Sequence, residues 1–583
     1  MTSATLTQAV AHVGSTAALS TFTDWLAAGH GALALDVEST GLDVRASGFA
    51  VHQIAFAGAD GTAVVVDGTD PDLARAALRL AMTHTSKTWW AHNASYERRA
   101  IAAAYGIRLT RLRCSMTLVQ TVEPNRIGKR GELALKTLRP TTARALELLA
   151  ARYGDRAGLT ARPDGTHWLP DAVCLLDEDD PALLAYVATD AVETARLVAE
   201  WNDTLAGDLR ACVRRETDVD AAWTWPGIRG YRVDLGMLAD EVRALDAARA
   251  ESFERWGVDL TTTSNASRTW VTQRGIRITD MDGKPTLSAK HYGRAQVPDE
   301  ARADWDVFVD IRTVATTANK LGEIAGLMDS SGRLYPEIRA IGAHTGRQSI
   351  GRPALQNLPE RLRPLLLADE GMTLVGCDLD RVEPRVIAAL TGDTALTAAV
   401  ESDVYEELAV AVWGERARGD GESRKVAKTA FLAMAYGQGS KSLGANLGIS
   451  PTEAQAVIDG LRGGYPTMAA WMDGVKRSAR NGINLYTAYG RPIPDNSDGP
   501  YRAVNHTIQG TAADLFKAIT LDVAKRLGED ALWLPVHDEL IVQVPAADAD
   551  AAVEALREAM STELKGVPIT GTPIILGDRW RKA

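Results

Sequence analysis

Residues 373–390 read TLVGCDLDRVEPRVIAAL, and the fold of the C-terminal half follows from this stretch. A run of apolar residues typical of a buried strand ends at Asp378, and Asp380 follows two positions later. Side chains at positions i and i+2 of a strand point the same way, so both carboxylates are expected on one face. The stretch therefore predicts a strand that delivers carboxylates to one edge of a buried sheet.

A second stretch with acidic residues, LWLPVHDELIVQVP, occupies residues 532–545. Two apolar segments flank His537, Asp538 and Glu539, a pattern that predicts a β-hairpin with these polar residues at its turn. Taken alone, a solvated hairpin turn is the simpler interpretation. Asp378 and Asp538 at one edge of a sheet would, however, suit a pair of Mg²⁺ ions.

The helix predicted within ESRKVAKTAFLAMAYGQG, residues 422–439, favours the metal-site interpretation. Its residues Arg424, Lys428, Leu432 and Tyr436 recur every four positions and therefore share one stripe of the helix. Two cations followed by an aromatic ring suit a ligand with phosphates at one end and a flat base at the other. A solvated amphipathic helix would explain the cations but not an aromatic ring on the same stripe.

A separate acidic pattern lies in the N-terminal half, where LALDVESTGL spans residues 33–42. Asp36 and Glu38 share one face of the predicted strand. Because like charges this close repel each other, the pair indicates either a divalent cation between them or a strand end that meets solvent.

Partners for this acidic pair lie in two later segments. Tyr186 and Asp190 are four residues apart and are expected on one helical face, and Asn93 and Glu97 are expected to share another. Four carboxylates and a tyrosine, arriving as strand, helix and helix, can hold two metal ions for attack on phosphorus. The Tyr186 hydroxyl would orient the attacking water.

The overall composition limits the class of protein. The 583 residues are 46% apolar and 24% charged, which is typical of a multidomain globular protein. The net charge of −11 argues against nucleic-acid binding through overall charge and leaves local cationic sites open. Neither a basic–apolar signal pattern nor a membrane-spanning apolar run is present, so a cytoplasmic location is expected. Free thiols are expected for the four widely spaced cysteines, Cys114, Cys174, Cys212 and Cys377.

The distribution of apolar residues indicates several domains. Residues 30–200 alternate short β-rich and helical segments, which predicts an α/β domain. Long amphipathic helices are predicted for residues 233–257 and 301–328. Because the stretch between them, 258–300, is polar, the two helices are expected to form an arm rather than a compact core.

In this order, the stretches 373–390, 422–439 and 532–545 resemble motifs A, B and C of the family A (polymerase I-like) DNA polymerases. TGRQSIGRPALQNLP (residues 345–359) and RAVNHTIQGTAADLFK (residues 502–517) are similar to further segments of that family. The resemblance implies template-directed addition of dNTPs to the 3′ end of a primer. No 5′-nuclease domain is expected ahead of these segments, which is typical of the bacteriophage members.

The resemblance also implies roles for individual residues. Asp378 and Asp538 would bind two catalytic Mg²⁺ ions, for which Mn²⁺ can substitute, with Glu539 as a supporting acid. Lys428 would also donate a proton to the departing pyrophosphate, and Glu383, held by Tyr436, would exclude a ribose 2′-OH. Contacts to the incoming dNTP are implied for Arg424, Lys428, Leu432, Tyr436, Glu383 and Tyr405. Contacts to the primer–template are implied for Arg347, Gln356, Asn357, Arg502, Asn505, Gln509 and His537.

Three positions depart from the family pattern. Leu432 stands where the family has Phe or Tyr, with Phe431 one place early, so sugar discrimination is expected to differ. Tyr405 stands where many relatives have a His that contacts the triphosphate, and Pro384 interrupts motif A after Glu383. None of these departures removes a metal ligand, so polymerase activity is still implied.

The pairs that contain Asp36, Asn93 and Tyr186 resemble the three motifs of the DnaQ-like 3′→5′ proofreading exonucleases. The resemblance implies an RNase H-like fold and two further Mg²⁺ ions. The implied catalytic residues are Asp36, Glu38, Glu97, Tyr186 and Asp190, of which Asp36, Glu38 and Asp190 would be the metal ligands. The family has Asp where this chain has Glu97, and Mg²⁺ tolerates little distortion, so reduced nuclease activity is expected.

The combined expectation is an α/β and α+β multidomain protein, with an RNase H-like exonuclease domain ahead of a right-hand polymerase. The predicted domains are residues 1–215 (exonuclease), 216–340 (thumb), 341–394 (first part of the palm), 395–500 (fingers) and 501–583 (second part of the palm). Ser267 and Arg268, near the tip of the thumb, are candidate phosphate contacts. The expected partners are primer–template DNA and dNTPs. A monomer without membrane contact is expected, and no accessory processivity factor is visible from the sequence.

Two other functions remain open at this point. One is an exonuclease whose polymerase half only binds DNA, and the other is a non-catalytic DNA-binding replication factor. The intact residues Asp378, Asp538, Arg424 and Lys428 disfavour both.

Overall fold

The computed structural model describes residues 9–84, 88–126, 181–280 and 283–581. Cys174 and part of the predicted exonuclease domain, residues 127–180, lie outside the described residues. The strands of the described part are β1 (Ala9–Val13), β2 (Leu33–Ser39), β3 (Val51–Gly58), β4 (Thr62–Asp67), β5 (Trp89–Ala91), β6 (Leu112–Cys114), β7 (Tyr231–Val233), β8 (Arg333–Leu334), β9 (Glu337–Arg339), β10 (Ser349–Gly351), β11 (Leu366–Leu367), β12 (Met372–Asp378), β13 (Leu532–Val536), β14 (Glu539–Pro545), β15 (Thr562–Leu564), β16 (Val567–Ile569) and β17 (Ile574–Gly577). Its helices are α1 (Leu19–Ala28), α2 (Pro71–His84), α3 (Ser95–Tyr105), α4 (Ser115–Val122), α5 (Pro181–Thr204), α6 (Gly207–Arg229), α7 (Leu235–Trp256), α8 (Asn265–Gln273), α9 (Arg302–Leu327), α10 (Val382–Thr391), α11 (Thr394–Glu401), α12 (Val404–Trp413), α13 (Gly421–Ala435), α14 (Ser440–Leu447), α15 (Pro451–Gly464), α16 (Pro466–Arg480), α17 (Tyr501–Leu527) and α18 (Ala549–Met560).

The chain divides into two compact units, each assembled from several segments. The first unit comprises Met1–Ile228, Ile338–Gln348 and Val475–Leu521. The second unit comprises Arg229–Glu337, Ser349–Gly474 and Asp522–Ala583. Helix α6 runs without interruption across the predicted boundary at residue 215. The division into exonuclease, thumb, palm and fingers stays a prediction.

A six-stranded sheet lies at the centre of the first unit, in the order β1-β4-β3-β2-β5-β6. β3 pairs antiparallel with β2 and with β4, whereas the β1–β4, β2–β5 and β5–β6 pairs are parallel. In β2, buried Leu35 and Val37 alternate with the half-buried Asp36 and Glu38. Helix α5 packs across β2 and β3. Side-chain alternation thus places both acidic residues on one face of the sheet, as the sequence predicts.

Aromatic side chains fix the position of this sheet. Phe22 of α1 lies 4.6 Å from Phe56 of β3, measured between ring centroids, and Phe56 meets Trp89 edge-on at 5.4 Å. The indole N–H of buried Trp89 donates a hydrogen bond to the carbonyl of Ala81 at 2.8 Å. Because every polar atom of such a ring needs a partner when buried, this bond lets Trp89 fill the core next to β2.

A four-stranded antiparallel sheet, in the order β13-β14-β12-β17, forms the core of the second unit. β12 pairs with β14 from Met372 opposite Pro545 to Asp378 opposite Glu539. β13 and β14 form the predicted hairpin, and α18 packs against β12 and β14. The strand predicted in residues 373–378 and the hairpin predicted in 532–545 are therefore confirmed.

Helices α7 and α9 confirm the two long helices predicted from the amphipathic pattern, but the expectation of an arm without a compact core is wrong. The residues between them contain α8, and Trp270 and Ile278 of this stretch belong to a buried cluster with Phe308 of α9. Trp270 stacks on Phe308 with 5.4 Å between ring centroids. The apolar residues of 258–300 are scattered among polar ones, so their spacing did not reveal this core.

Ser267 is fully buried inside α8, and its hydroxyl donates a hydrogen bond to the carbonyl of Asp259 at 3.0 Å. The prediction that Ser267 contacts a phosphate is therefore wrong, whereas the neighbouring Arg268 is exposed.

Cys114, Cys212 and Cys377 are buried free thiols, as predicted. Among the helices of the described residues, none combines the length and the apolar character that crossing a bilayer requires.

Candidate active sites

The pairing of β12 with β14 brings the C-terminal acidic residues together. Asp378 ends β12 directly opposite Glu539, and the backbone N–H of Leu379 donates a hydrogen bond to the carbonyl of Asp538 at 3.1 Å. Only His537 and Asp538 separate β13 from β14, and His537 adopts a positive φ of 57° at this turn. Asp378 is exposed, Asp538 is half-buried and Glu539 is buried. Three carboxylates therefore meet at one end of the sheet.

The chemistry around Cys377 reflects this concentration of negative charge. Burial raises the pKa of the Cys377 thiol to about 12, and the charges of Asp380, Asp378 and Glu539 add to the effect. Carboxylate oxygens are the ligands that Mg²⁺ prefers, and an excess of them at one point favours a divalent cation. The donor set of Asp378 and Asp538 thus fits the metal ions implied by the sequence.

Gly571 is a residue at this site that sequence reasoning missed. A Cβ atom at position 571 would lie 2.8 Å from the carbonyl oxygen of Asp378 and 2.8 Å from the Cys377 sulfur. Any side chain would therefore push against the end of β12. Its signal in the sequence, one Gly within ITGTPII, is too short to identify.

Helix α13 presents the predicted cationic stripe. Phe431 and Met434 are buried, Lys428 is exposed, and Leu432 is half-buried. Phe431 is therefore in the core and does not replace Leu432 on the stripe. Beyond the helix, the Tyr436 hydroxyl donates a hydrogen bond to the Glu383 carboxylate at 2.6 Å. This contact, implied by the resemblance, connects α13 to the segment that follows Asp378.

Pro384, the departure from the family pattern in motif A, does not break the helix that follows Asp378. Helix α10 begins at Val382, so Pro384 lies in its first turn. Backbone N–H groups in the first turn have no partner within the helix, so proline costs little there.

Arg424 has a partner that the sequence analysis missed. Its Nε donates a hydrogen bond to the Asp403 carboxylate at 2.8 Å. Tyr405 lies beneath both cations of the stripe, with its ring centroid 5.6 Å from the Arg424 guanidinium carbon and 5.2 Å from the Lys428 ammonium. The sequence does hold a signal for Asp403, because Asp directly before the helical VYEEL pattern is typical of a helix N-cap.

The predicted DNA-contacting residues are divided between the units. Arg502, Asn505 and Gln509 lie on α17 with spacings of three and four, and the residues between them are mostly buried, so the three share a partly exposed face. The Asn505 side-chain oxygen is buried and has no hydrogen-bond partner among the residues that the structure describes. Arg347 belongs to the same unit. The second unit holds the other three candidates, Gln356, Asn357 and His537.

Of these three, Gln356 has a structural role. Its side-chain oxygen accepts a hydrogen bond from the backbone N–H of Ile350 at 3.0 Å. Asn357 and His537 are exposed.

The first unit also contains a buried ion network, which we define as Arg215, Glu216, Arg491, Asp514 and Lys517. Asp514 and Lys517 belong to α17. The Lys517 ammonium donates to the Glu216 carboxylate and to the carbonyl of Gly346, each at 2.6 Å. Asp514 accepts from Arg491 Nε at 2.9 Å and is paired with Arg215 at 2.9 Å. The network thus fixes the residue that precedes Arg347.

This network is not a metal site, although Cys212, Glu216 and Asp514 bring possible ligand atoms within 4.8 Å of one another. Burial alone raises the pKa of Asp514, but the charges of Arg491, Arg215 and Lys517 outweigh it and lower that pKa. Burial lowers the pKa of Lys517 to about 8. Cations of the chain itself already balance these carboxylates.

The N-terminal acidic residues form a second group, which we call the acid cluster and define as the buried Glu97 and the half-buried Asp36, Glu38 and Asp190. Burial raises the pKa of Asp36 well above its usual value, and the charges of Asp190, Glu38 and Glu97 raise it further. Burial also raises the pKa of Glu38 to about 8, with the charge of Asp190 as the second cause. Four carboxylates that repel one another in a buried position suit divalent cations.

Tyr186 joins this cluster from α5, where it lies one turn ahead of Asp190. It is buried, and burial together with the charges of Glu38, Asp190 and Asp36 raises the pKa of its hydroxyl. The predicted helical pairing of Tyr186 with Asp190 is therefore confirmed.

The predicted helical pairing of Asn93 with Glu97 is wrong. Asn93 precedes α3, with a positive φ of 63°, and its carbonyl accepts a hydrogen bond from the N–H of Tyr96 at 2.8 Å. Glu97 lies in the first turn of α3, where burial raises its pKa to about 8. Among the described residues its buried Oε2 atom has no hydrogen-bond partner, as expected of an atom that would ligate a cation.

Tyr96 is a further residue that the sequence analysis missed. Its hydroxyl lies 2.5 Å from the Ser39 hydroxyl and donates to the carbonyl of Gly41 at 2.8 Å. These bonds hold the turn that follows Glu38. An isolated Tyr in a helical segment gives no signal for such a contact.

Comparison with known protein families gives one family match. Residues 305–582 match the model described as DNA polymerase family A. The DNA polymerase of Mycobacterium phage D29 is 26% identical over 96% of this chain and 94% of its own length, and that of Mycobacterium phage L5 has the same identity and coverage. The thermostable DNA polymerase I of Thermus aquaticus is 27% identical over 73% of this chain and 58% of its own length.

A solved structure supports the fold. The polymerase domain of Pol1 from M. smegmatis, in complex with DNA primer-template and dNTP, superposes with a TM-score of 0.71. The match covers 98% of this chain and 99% of that chain at 19% sequence identity. The mixed α/β fold predicted for the polymerase part is therefore confirmed.

Proposed function

Since residues 305–582 form a DNA polymerase family A domain, we propose that this chain is a template-directed DNA polymerase that extends a primer 3′ end with dNTPs. The observation that carries the proposal is the β12–β14 pairing, which sets Asp378 opposite Glu539 and beside the turn that contains Asp538. The Tyr436–Glu383 hydrogen bond connects this end to the cationic helix α13. Acidic residues for metal and basic residues for phosphate thus occur in the same unit.

The chain's own residues then have distinct tasks. Asp378 and Asp538 would hold two divalent ions, generally Mg²⁺, which when bound activate the attacking hydroxyl and offset negative charge on the phosphates. Arg424 and Lys428 would bind the triphosphate, and the Lys428 ammonium would give a proton to the pyrophosphate. Glu383, fixed by Tyr436, would close the space where a ribose 2′-OH would lie.

The predicted right-hand arrangement belongs to this proposal. Thumb, palm and fingers would occupy residues 216–340, 341–394 with 501–583, and 395–500. Primer–template DNA would lie against the partly exposed face of α17, where Arg502, Asn505 and Gln509 reach minor-groove atoms that vary little with sequence. Such contacts suit an enzyme that must copy any template.

The acid cluster supports a second activity, 3′→5′ proofreading hydrolysis. Burial raises the pKa values of Asp36, Glu38 and Glu97, and the charge of Asp190 raises those of Asp36 and Glu38 further. Asp36, Glu38 and Asp190 would hold divalent ions, and the Tyr186 hydroxyl would orient the attacking water. A frayed, mispaired primer end is the substrate that this site would hydrolyse.

One assay tests both activities and their alternatives. A labelled primer–template is incubated with Mg²⁺, with and without dNTPs, and the primer length is measured. Extension supports the polymerase, shortening alone supports an exonuclease that only binds DNA elsewhere, and an unchanged primer supports a non-catalytic DNA-binding factor. Asp538→Ala should abolish extension and spare shortening, whereas Asp36→Ala should do the reverse. Loss of both activities from either substitution would contradict two separate sites.

A further inference from the structure

Asp403 is a partly buried residue that uses both of its carboxylate oxygens. As the N-cap of α12, it accepts hydrogen bonds through Oδ1 from the backbone N–H groups of Tyr405 at 3.1 Å and Glu406 at 3.3 Å. Through Oδ2 it accepts a hydrogen bond from Arg424 Nε at 2.8 Å. One carboxylate thus joins the first turn of α12 to the cationic stripe of α13.

The bond to Nε leaves the rest of the Arg424 guanidinium available. Within the described residues, its two terminal nitrogens donate no hydrogen bond, and 40% of the side chain is exposed. A guanidinium presents its terminal N–H groups as a planar fork that binds phosphate oxygens in pairs. Asp403 therefore occupies Nε and leaves the pair of terminal nitrogens for a phosphate.

The same turn of α12 supplies a second contact to the stripe. Tyr405 is 7% exposed, and its ring centroid lies 5.6 Å from the Arg424 guanidinium carbon and 5.2 Å from Lys428 Nζ. Arg424 and Lys428 are one helical turn apart and repel each other. The carboxylate and the ring face of neighbouring residues in α12 together offset this repulsion.

We propose that Asp403 is a positioning residue for the incoming nucleotide, which holds the Arg424 guanidinium over the Tyr405 ring with its terminal nitrogens directed to a triphosphate before the nucleotide arrives. The inference rests on the proposed polymerase function. A free arginine side chain loses rotamer freedom when it is immobilised by a ligand, and a side chain that is already held loses less. Asp403 should therefore increase nucleotide affinity, although it carries the same sign of charge as the triphosphate.

The chain offers a matched pair of variants for the test. Asp420 is also an N-cap, at the start of α13 itself, and accepts hydrogen bonds from the N–H groups of Glu422 and Ser423, each at 3.2 Å. It also accepts a hydrogen bond from the Ser423 hydroxyl, and no cation of the described residues is among its partners. Since serine is as good an N-cap as aspartate, Asp403→Ser and Asp420→Ser keep both helix caps and differ only in the loss of an arginine partner.

Single-nucleotide insertion kinetics on primer–template measure the effect. Asp403→Ser should raise KM for the dNTP about fivefold and change kcat less than twofold, because affinity and not chemistry depends on the held guanidinium. Asp420→Ser should change neither constant more than twofold. Equilibrium binding of a dNTP to the enzyme on a dideoxy-terminated primer should reproduce the affinity difference without turnover.

A double variant shows whether the effect passes through Arg424. Lysine lacks the guanidinium Nε–H that donates to Asp403. In a protein that already carries Arg424→Lys, Asp403→Ser should therefore cause little further loss of dNTP affinity. If wild-type protein extends the primer but Asp403→Ser binds dNTP as Asp420→Ser does, or more tightly, the inference is wrong and the polymerase function stands. If the two substitutions at 403 and 424 are additive, Asp403 acts elsewhere and the inference is also wrong. A wild-type protein that neither extends the primer nor binds dNTP would overturn the proposed function, and the inference with it.

Discussion

The first unit contains two groups of carboxylates, and they differ in what surrounds them. In the acid cluster, neighbouring carboxylates raise the pKa of Asp36, and burial raises the pKa of Glu38 and Glu97 to about 8. In the buried ion network, carboxylates face arginine and lysine, and these cations lower the pKa of Asp514 against the effect of burial. The two groups share a residue type, and the charges around the carboxylates separate them.

This difference shows how a structure distinguishes a cation-binding site from a structural ion pair. Distances between ligand atoms single out Cys212, Glu216 and Asp514, yet the space between them is filled by the chain's own cations. A buried charge costs free energy unless it is paired, so balanced carboxylates stabilise the fold. Unbalanced ones destabilise it until a cation from solution arrives.

Removal of a cation from the balanced network should have the largest effect on stability. Lys517→Met leaves Glu216 buried beside fewer cations, and breaking a buried pair costs about 3 to 5 kcal/mol of the free energy of unfolding. Denaturant unfolding monitored by circular dichroism measures the loss. Lys525→Met, on the exposed side of the same helix, is the control and should change the free energy of unfolding by less than about 0.5 kcal/mol. Equal losses in the two variants would remove the distinction between the network and the surface.

Removal of a charge from the acid cluster should lower nuclease activity without lowering the stability of the fold. Asp36→Asn should lower the rate of nuclease hydrolysis about a hundredfold, roughly 2.7 kcal/mol in the barrier, because a metal ligand is lost. Without metal at pH 8 the same substitution should leave stability unchanged or raise it, since it removes like-charge repulsion. Degradation of a labelled single-stranded oligonucleotide and unfolding in EDTA are the measurements.

The exposed Asp24 provides the control for that substitution. Asp24→Asn should alter neither the nuclease rate nor the free energy of unfolding. A marked destabilisation by Asp36→Asn in EDTA would show that the acid cluster is held together by pairing after all.

The dependence of the free energy of unfolding on pH and Mg²⁺ is a further difference expected between the acid cluster and the buried ion network. Glu38 and Glu97 have folded-state pKa values raised from 4.5 to about 8, so their contribution is present below pH 4.5 and is lost as the pH rises through 8. In EDTA, stability should therefore fall between pH 5.5 and 8.5 through these groups. At pH 8.5, Mg²⁺ at ten times its Kd should restore about 1.4 kcal/mol.

Denaturant unfolding at both pH values, with EDTA or Mg²⁺, measures this linkage. Glu38→Gln removes one titrating group. The free energy of unfolding should therefore fall less with rising pH in this variant, and Mg²⁺ should increase it less. An identical pH profile and an identical Mg²⁺ response in Glu38→Gln would mean that the acid cluster does not bind the cation.

The sequence could predict those features of the fold that depend on a short repeat of residues within one strand or helix. The alternation in β2 placed Asp36 and Glu38 on one face, and the four-residue spacing in α13 placed Lys428 and Leu432 on one stripe. Each depends only on the geometry of one element. The buried core around Trp270 was missed because its members come from separate elements and have no common period.

Contacts between distant segments were visible only in the structure. Asp403 reaches Arg424 across 21 positions, and Glu216 reaches Lys517 across 301. Local sequence indicates an N-cap at Asp403 but not which cation its second oxygen meets. The balance of charge that separates the two acidic groups is a property of such long-range contacts, so it could not be derived from either motif.

The smallest expected effect concerns the one member of the acid cluster that departs from the family pattern. Glu97→Asp shortens the arm by one methylene and should raise the nuclease rate about threefold, because Mg²⁺ favours a narrow range of ligand positions. The missing methylene in a buried site should cost about 1 kcal/mol of stability. Nuclease assays and denaturant unfolding on the same preparation measure both. Glu97→Gln keeps the length and loses the charge, so the rate should fall in that variant. If Glu97→Gln instead keeps the wild-type rate, the charge is not what the cluster needs at this position, and Glu97 does not belong with the carboxylates that would bind the cation.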